Sequence, residues 1–227
     1  MLKEILFCLQ EAPHMRHGWR VAAEQAAIHA RFRRHPEEWG THLAICRELV
    51  REAALGCKRG GCAAVLGSGL LLDVPLEELC QRFERVLLID LHHPRSARQA
   101  GKRHANLVLR HADVTKPGFW GHLAQEADFV VSLNLAAQLA LAAGGEQAAR
   151  NHALMLKSWP GGSMMISEFA RVELDVEGRE IAREPALALG HDFDLPEKLW
   201  KWYLAPPGEL APYRGLALEI GAWKWRV

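Results

Sequence analysis

The feature that most constrains this fold is a regular alternation of short apolar runs with amphipathic segments, which begins at Cys62. Five runs have the length and composition of buried strands, and they lie at 62–66, 85–89, 106–110, 128–133 and 163–169. Strands that alternate with helices usually pair in parallel through right-handed crossovers. The pattern therefore predicts an α/β fold built on a mostly parallel sheet.

The C-terminal part of the chain changes to an antiparallel pattern. Residues 172–176 and 179–183 flank a Glu-Gly turn, which predicts a hairpin. Residues 199–204 and 216–226 alternate apolar and polar side chains on either side of a turn-rich segment. We expect this second pair of segments to close the sheet as antiparallel strands.

The first 58 residues have a helical pattern. After a proline suited to a first helical turn, apolar residues recur at helical spacing, and they are Trp39, Leu43, Cys46 and Val50. A basic, glycine-rich run then interrupts the helix. We expect an N-terminal helical cap over residues 1–58 and the α/β domain over residues 59–227.

Composition limits the partners and the location. Lys and Arg total 28 against 27 for Asp and Glu, and such a nearly neutral chain does not favour nucleic acid as a partner. Five scattered cysteines favour a reducing compartment over a disulfide scaffold. No uncharged apolar stretch reaches the roughly 18 residues of a membrane span. We expect a cytoplasmic protein that acts on a small molecule.

Glycine and polar residues follow the predicted strands at their carboxyl ends. The residues at these strand ends are Gly67-Ser68-Gly69, Asp90-Leu91, Asp113-Val114 and Asn134. In open α/β sheets, ligands bind at this edge. An acid at the end of the second strand can accept hydrogen bonds from both hydroxyls of a ribose. Between the first two strands, Asp73 and Pro75 predict a capped helix start.

These strand ends, together with Pro160-Gly161-Gly162 before the fifth strand, resemble class I S-adenosylmethionine-dependent methyltransferases. The resemblance covers roughly residues 60–227 and implies a Rossmann-like methyltransferase sheet with a C-terminal antiparallel strand pair. It implies S-adenosyl-L-methionine as cofactor. By this resemblance the glycine turn passes under the methionine part, Asp90-Leu91 holds the ribose, Asp113-Val114 contacts the adenine, and Asn134 faces the sulfonium.

Two alternative functions stay open at this point. In the family that the chain resembles, an acid usually stands two residues before the first glycine, and this chain has Val65 there. That difference, with the run Leu70 to Leu72, favours a non-catalytic Rossmann-like binding or scaffold protein. An NAD-dependent oxidoreductase would share the glycine turn and Asp90, but it would give no reason for Asp113.

No catalytic side chain is predicted, but four residues are candidates for the substrate side. These residues are His14, His17, Glu168 and His191. No metal is expected, because the neighbouring His92 and His93 would point apart on a turn.

Overall fold

The computed structural model describes residues 19–141, 145–186, 193–209 and 211–227. One eight-stranded sheet organises these residues. Its strands are β1 (Cys62–Leu66), β2 (Arg85–Asp90), β3 (Leu107–His111), β4 (Phe129–Leu133), β5 (Gly162–Leu174), β6 (Glu180–Pro185), β7 (Lys198–Ala205) and β8 (Gly215–Trp225). The order across the sheet is β3-β2-β1-β4-β5-β8-β7, and β6 pairs with β5 beside this path.

The strand directions confirm the predicted fold class. The pairs β1–β2, β2–β3, β1–β4 and β4–β5 are parallel, whereas β8 is antiparallel to both β5 and β7. This is a mostly parallel, Rossmann-like sheet that ends in an antiparallel strand pair. After β1, the strands β2 and β3 are added on one side of it, and the chain then returns to place β4 on the other side. The strand order therefore reverses at β1 and β4, which is where such sheets bind ligands.

One strand prediction was wrong. Residues 163–169 and 172–176 were expected as two separate strands, but they form one long strand, β5. Its first half pairs in parallel with β4, and its second half pairs with β6. The pairing with β8 spans both halves and shifts register between Glu168 and Ala170. A register irregularity at this point explains why the alternation of side chains breaks in the sequence.

Seven helices accompany the sheet in the described ranges. They are α1 (Trp19–Arg34), α2 (Pro36–Gly56), α3 (Leu76–Arg82), α4 (Arg95–Arg103), α5 (Phe119–Leu123), α6 (Leu135–Leu141) and α7 (Gly145–Lys157). Buried residues of α2, α3 and α4 pack on one face of the sheet, and those of α5, α6 and α7 pack on the other. No helix in this part of the chain combines the length and apolar character that crossing a membrane requires.

The central strands are apolar on both sides because helices cover both faces of the sheet. In β1 every residue is buried, with Val65 directed to the core under α2 and Leu66 to the opposite core. The loops at the carboxyl ends of β1, β2 and β4 therefore follow strands that are almost wholly buried.

Helix α2 also covers the antiparallel end of the sheet. Trp39 is fully buried, and its indole Nε1 donates a hydrogen bond to the carbonyl oxygen of Leu204 at 3.3 Å. Trp202 meets the Trp39 ring edge-on at 4.7 Å and stacks on the His42 ring at 3.9 Å. The tryptophans of β7 thus pack against α2. The cap and domain boundary at residue 58 stays a prediction.

Candidate functional site

The glycine turn after β1 lies against the end of β4. Gly67 has a φ of +74°, and a Cβ there would stand 2.9 Å from the carbonyl oxygen of Leu133 and 3.1 Å from the Cβ of Leu135. Backbone and side chain therefore both require glycine at this position. A Cβ on Gly69, by contrast, would meet no atom closer than 3.9 Å. The turn is thus closed toward β4 at Gly67 and open at Gly69.

Asp90 joins the turn to the end of β2. Its Oδ2 accepts a hydrogen bond from the backbone N–H of Gly69 at 2.9 Å, and its Oδ1 lies 3.4 Å from the backbone nitrogen of His92. A carboxylate offers about four acceptor positions. The side chain is therefore oriented by the protein and retains acceptor positions for hydroxyl groups. Next to it, the Leu91 side chain is 52% exposed and presents an apolar surface.

The end of β3 lies next to the end of β2, because the backbone N–H of Ala112 donates to the carbonyl oxygen of Asp90 at 3.0 Å. Asp113 Oδ1 accepts bonds from the backbone nitrogen of Thr115 at 2.9 Å and from its hydroxyl at 2.6 Å. Burial tends to raise the pKa of Asp113, but the bonds from Thr115 hold it below its usual value. The carboxylate is thus ionised, with Oδ1 engaged in its own turn, while Val114 is buried.

The Asn134 side chain lies across the gap between the loops that follow β4 and β1. The residue has a φ of +52°, a left-handed conformation that asparagine tolerates better than most residues. Its amide Nδ2 donates to Asp73 Oδ2 at 3.1 Å. Asp73 was predicted to cap α3, and that prediction was wrong. Pro75 occupies the cap position without a side-chain hydrogen bond, and the carboxyl of Asp73 binds Asn134 instead.

Two buried polar atoms beside this gap have no hydrogen-bond partner among the described residues. They are the hydroxyl of Ser68 and Oδ1 of Asn134. A buried polar atom without a partner costs roughly 1–3 kcal/mol, so folded proteins keep few of them. Both atoms belong to the loops that follow β1 and β4.

The substrate-side candidates are only partly described. Glu168 lies on β5 at the register shift, and Arg171 Nε stands 3.6 Å from its carboxylate. Burial raises the pKa of Glu168 despite that arginine. His14, His17 and His191 lie outside the described residues. All four remain predictions.

An open groove lies beside this site, on the side of α3 and α4. Its lining includes Arg47, Leu71, Ser96, Gln99 and Arg103. The residues predicted to bind cofactor do not line it, so the groove is adjacent to the strand-end site and separate from it. Within the described ranges, no group of three His, Cys, Asp or Glu side chains could hold a metal ion.

Known proteins that are similar to this chain were found among solved structures. No family model and no curated protein sequence matches the chain. Among solved structures, the 1,6-didemethyltoxoflavin-N1-methyltransferase of Burkholderia thailandensis, which contains S-adenosylhomocysteine, is 14% identical with a TM-score of 0.46. The match covers 89% of this chain and 88% of that one. Three other similar structures are described as methyltransferases.

Two further structures match over a smaller part of their length. The YcgJ protein of Bacillus subtilis is 13% identical, with a TM-score of 0.42 over 56% of this chain and 51% of that one. A chain described as a zinc-dependent alcohol dehydrogenase from Rhodobacter sphaeroides is 20% identical, with a TM-score of 0.37 over 49% and 42%. The chain thus spans about half the length of these two proteins. Such likenesses concern the chain path and leave the reaction to be argued from the residues.

Proposed function

We propose that this protein is an S-adenosylmethionine-dependent methyltransferase that acts on a small molecule. The observation that carries the proposal is that two acids follow adjacent strands at the edge where the strand order reverses. The Asp90 carboxylate is fixed beside the glycine turn, and Asp113 follows β3, which pairs with β2. An acid in the position of Asp90 can bind both hydroxyls of a ribose. The nearly balanced charge of the chain favours a small acceptor over a polyanion.

The residues at the strand ends fit this cofactor. Asp90 would hold the ribose, and the exposed side chain of Leu91 would contact the sugar or the base. Asp113 and Val114 would lie at the adenine, and the open side of Gly69 leaves room for the methionine part. Ser68 lies in the same turn, and its buried hydroxyl has no hydrogen-bond partner among the described residues.

The cofactor, when bound, supplies a methyl group that is already activated on a sulfonium. The protein then has to hold the acceptor in line with that methyl group and exclude water. The rigid strand ends suit this task, because Gly67 and Asn134 are fixed by backbone hydrogen bonds to the neighbouring strands at 3.0 Å and 2.8 Å.

Calorimetric titration with S-adenosylmethionine and S-adenosylhomocysteine tests the proposal, with NAD as the comparison ligand. The wild-type protein should bind the first two, and Asp90→Ala should weaken both by roughly tenfold to a hundredfold, because it removes hydrogen bonds to a charged acceptor. Asp128→Asn is a matched control. Asp128 Oδ2 accepts from the backbone nitrogen of Cys62 at 2.8 Å, at the opposite edge of the sheet, so this variant should bind normally.

Folded wild-type protein that binds neither methionine-derived ligand would contradict the proposal. Tighter binding of NAD than of S-adenosylhomocysteine would point to the oxidoreductase instead. Ligand-induced shifts of the melting temperature give an independent reading of the same ranking.

A non-catalytic binding protein is the second candidate. The observation that favours it is that Val65 is fully buried in the core under α2, so the strand offers no acid toward the ligand edge. Incubation with methyl-labelled S-adenosylmethionine and a pool of small metabolites separates the two candidates. Labelled product above the level made by Asp90→Ala would exclude the non-catalytic protein. Binding without product from any pool would support it.

A further inference from the structure

The open groove beside α3 and α4 combines an apolar surface with basic side chains. It encloses about 380 Å³, within the roughly 300–1,000 Å³ of small-molecule sites. Leu71, Val74 and Leu76 form its apolar part, and all three pack on the core under α2. A ligand in the groove would therefore meet fixed hydrocarbon as well as charge.

Helix α4 supplies one side of the groove. Its contribution consists of Ser96, Gln99 and Arg103, which follow one another at i, i+3 and i+7 and so lie on one helix face. Along this face the helix rises roughly 10 Å. The helix contains no acidic residue, and Arg103 is exposed with no hydrogen bond or ion pair to any described residue. Its guanidinium is therefore available to an acid group in the groove.

Two acids also line the groove, but each has a basic neighbour outside it. Glu78 accepts a hydrogen bond from Arg51 Nε at 3.1 Å, and the bonds from Arg51 hold the pKa of Glu78 below its usual value. The Glu77 side chain is 63% exposed, and its Oε1 stands 3.2 Å from Nε2 of His104. Neither Arg51 nor His104 lines the groove. The acids are therefore occupied by these neighbours, whereas Arg103 is not.

A second guanidinium reaches the groove from α2. Arg47 lines it and donates to the carbonyl oxygen of Leu72 at 2.5 Å. A guanidinium has five donors, so this bond to a neutral oxygen leaves others unused. Among the residues that the structure describes, no acid lies within ion-pair distance of Arg47. The donors that remain in the groove thus belong to two positively charged side chains.

We propose that this groove binds a small organic anion, with the acid group on Arg103 and an apolar body against the apolar lining. A guanidinium can hold a carboxylate through two parallel hydrogen bonds. An exposed ion pair alone contributes little, because water and salt compete with it. The apolar lining adds the burial of hydrocarbon, so both parts of the ligand are needed. The inference does not depend on the proposed function.

Three small probes separate charge from apolar contact. Hexanoate has an acid group and an apolar body, hexylammonium has a similar body with the opposite charge, and inorganic phosphate is an anion without a body. In an NMR titration of the full chain, hexanoate should shift the backbone amides of Leu71, Gln99 and Arg103 and saturate on the order of 1–10 mM. Hexylammonium and inorganic phosphate should each bind at least about fivefold more weakly.

Two neighbouring cations on α4 provide a variant and its matched control. Arg103→Gln should weaken hexanoate by about fivefold to tenfold, because the charge-assisted bonds are lost. Lys102 carries the same charge in the same helical turn but does not line the groove. Lys102→Gln should therefore keep the affinity within about twofold. Both side chains are exposed, so both variants should keep the melting temperature of the wild type.

Four results would overturn the proposal. Hexanoate might cause no saturable shift, or the two variants might weaken it equally, which would mean general attraction to a basic helix. Equal binding of hexylammonium would mean apolar contact without recognition of the anion, and equal binding of inorganic phosphate would mean an adventitious ion only. Displacement of hexanoate by S-adenosylhomocysteine would likewise overturn a site that is separate from the strand ends.

Discussion

Gly161→Ala should lower the free energy of unfolding by about 3 kcal/mol, the upper part of the range for overpacked sites. A Cβ at this position would stand 2.1 Å from the carbonyl oxygen of Asp128 and 3.0 Å from its carbonyl carbon. That oxygen accepts the backbone N–H of Gly162 at 3.1 Å, at the point where β4 and β5 begin to pair. Relief of the clash would therefore separate two central strands.

Urea titration of the wild type and of Gly161→Ala measures the difference in their free energies of unfolding. Gly40→Ala provides a matched control. A Cβ on Gly40, within α2, would meet nothing within 4 Å. Alanine should leave stability unchanged or raise it by up to about 1 kcal/mol, because it favours the helix. Surface substitutions usually change the free energy of unfolding by less than about 0.5 kcal/mol. A change as small as that in Gly161→Ala would contradict the close approach to Asp128.

The central strands could be predicted from the sequence because buried strands have an apolar local composition. β1 has the predicted bounds, 62–66, and all five residues are buried. A strand covered by helices on both faces is apolar without interruption, and glycine or polar residues mark its ends. The ligand edge could be predicted for the same reason, since it consists of the residues that follow such strands.

The contact between Asp73 and Asn134 could not be predicted in this way. Asp73 and Asn134 are 61 positions apart, and their contact depends on the adjacency of β1 and β4. Local chemistry favoured Asp73 as a helix cap, since aspartate is common at that position. The tertiary contact prevailed because Asn134 offers the buried carboxyl a donor. The only local indication of this contact was the position of Asp73, a few residues after the glycine turn.

The packing of β7 shows a second limit of prediction from the sequence. The alternation of residues 199–204 predicted a strand, but the surface that covers its tryptophans lies about 160 residues earlier in the chain. Trp200 Nε1 donates to His42 Nδ1 at 3.2 Å, across 158 positions. The spacing of His42 on α2 places it beside apolar positions, yet nothing local indicates that the ring is buried and neutral. The packing between α2 and β7 determines that the His42 ring is buried and neutral.

Two buried histidines make the folded state sensitive to acid. His152 on α7 is 2% exposed, with Nε2 at 2.8 Å from the hydroxyl of Ser132, and His42 is equally buried. Burial lowers the pKa of each ring to about 3. In the unfolded chain a histidine has a pKa of about 6.5. The unfolded state therefore binds more protons between these two values, and stability is lost as the pH falls through that window.

Acidification from pH 7.5 to pH 5.0 should cost about 2 kcal/mol of unfolding free energy for each of the two histidines. Asp73 opposes part of this loss, because its raised pKa lets the folded state take up a proton near pH 6. Urea titrations at both pH values should show His152→Gln losing about 2 kcal/mol less than the wild type. The exposed His122→Gln should keep the wild-type difference. If the stability of His152→Gln depended on pH as that of the wild type does, a neutral His152 ring beside Ser132 would be contradicted.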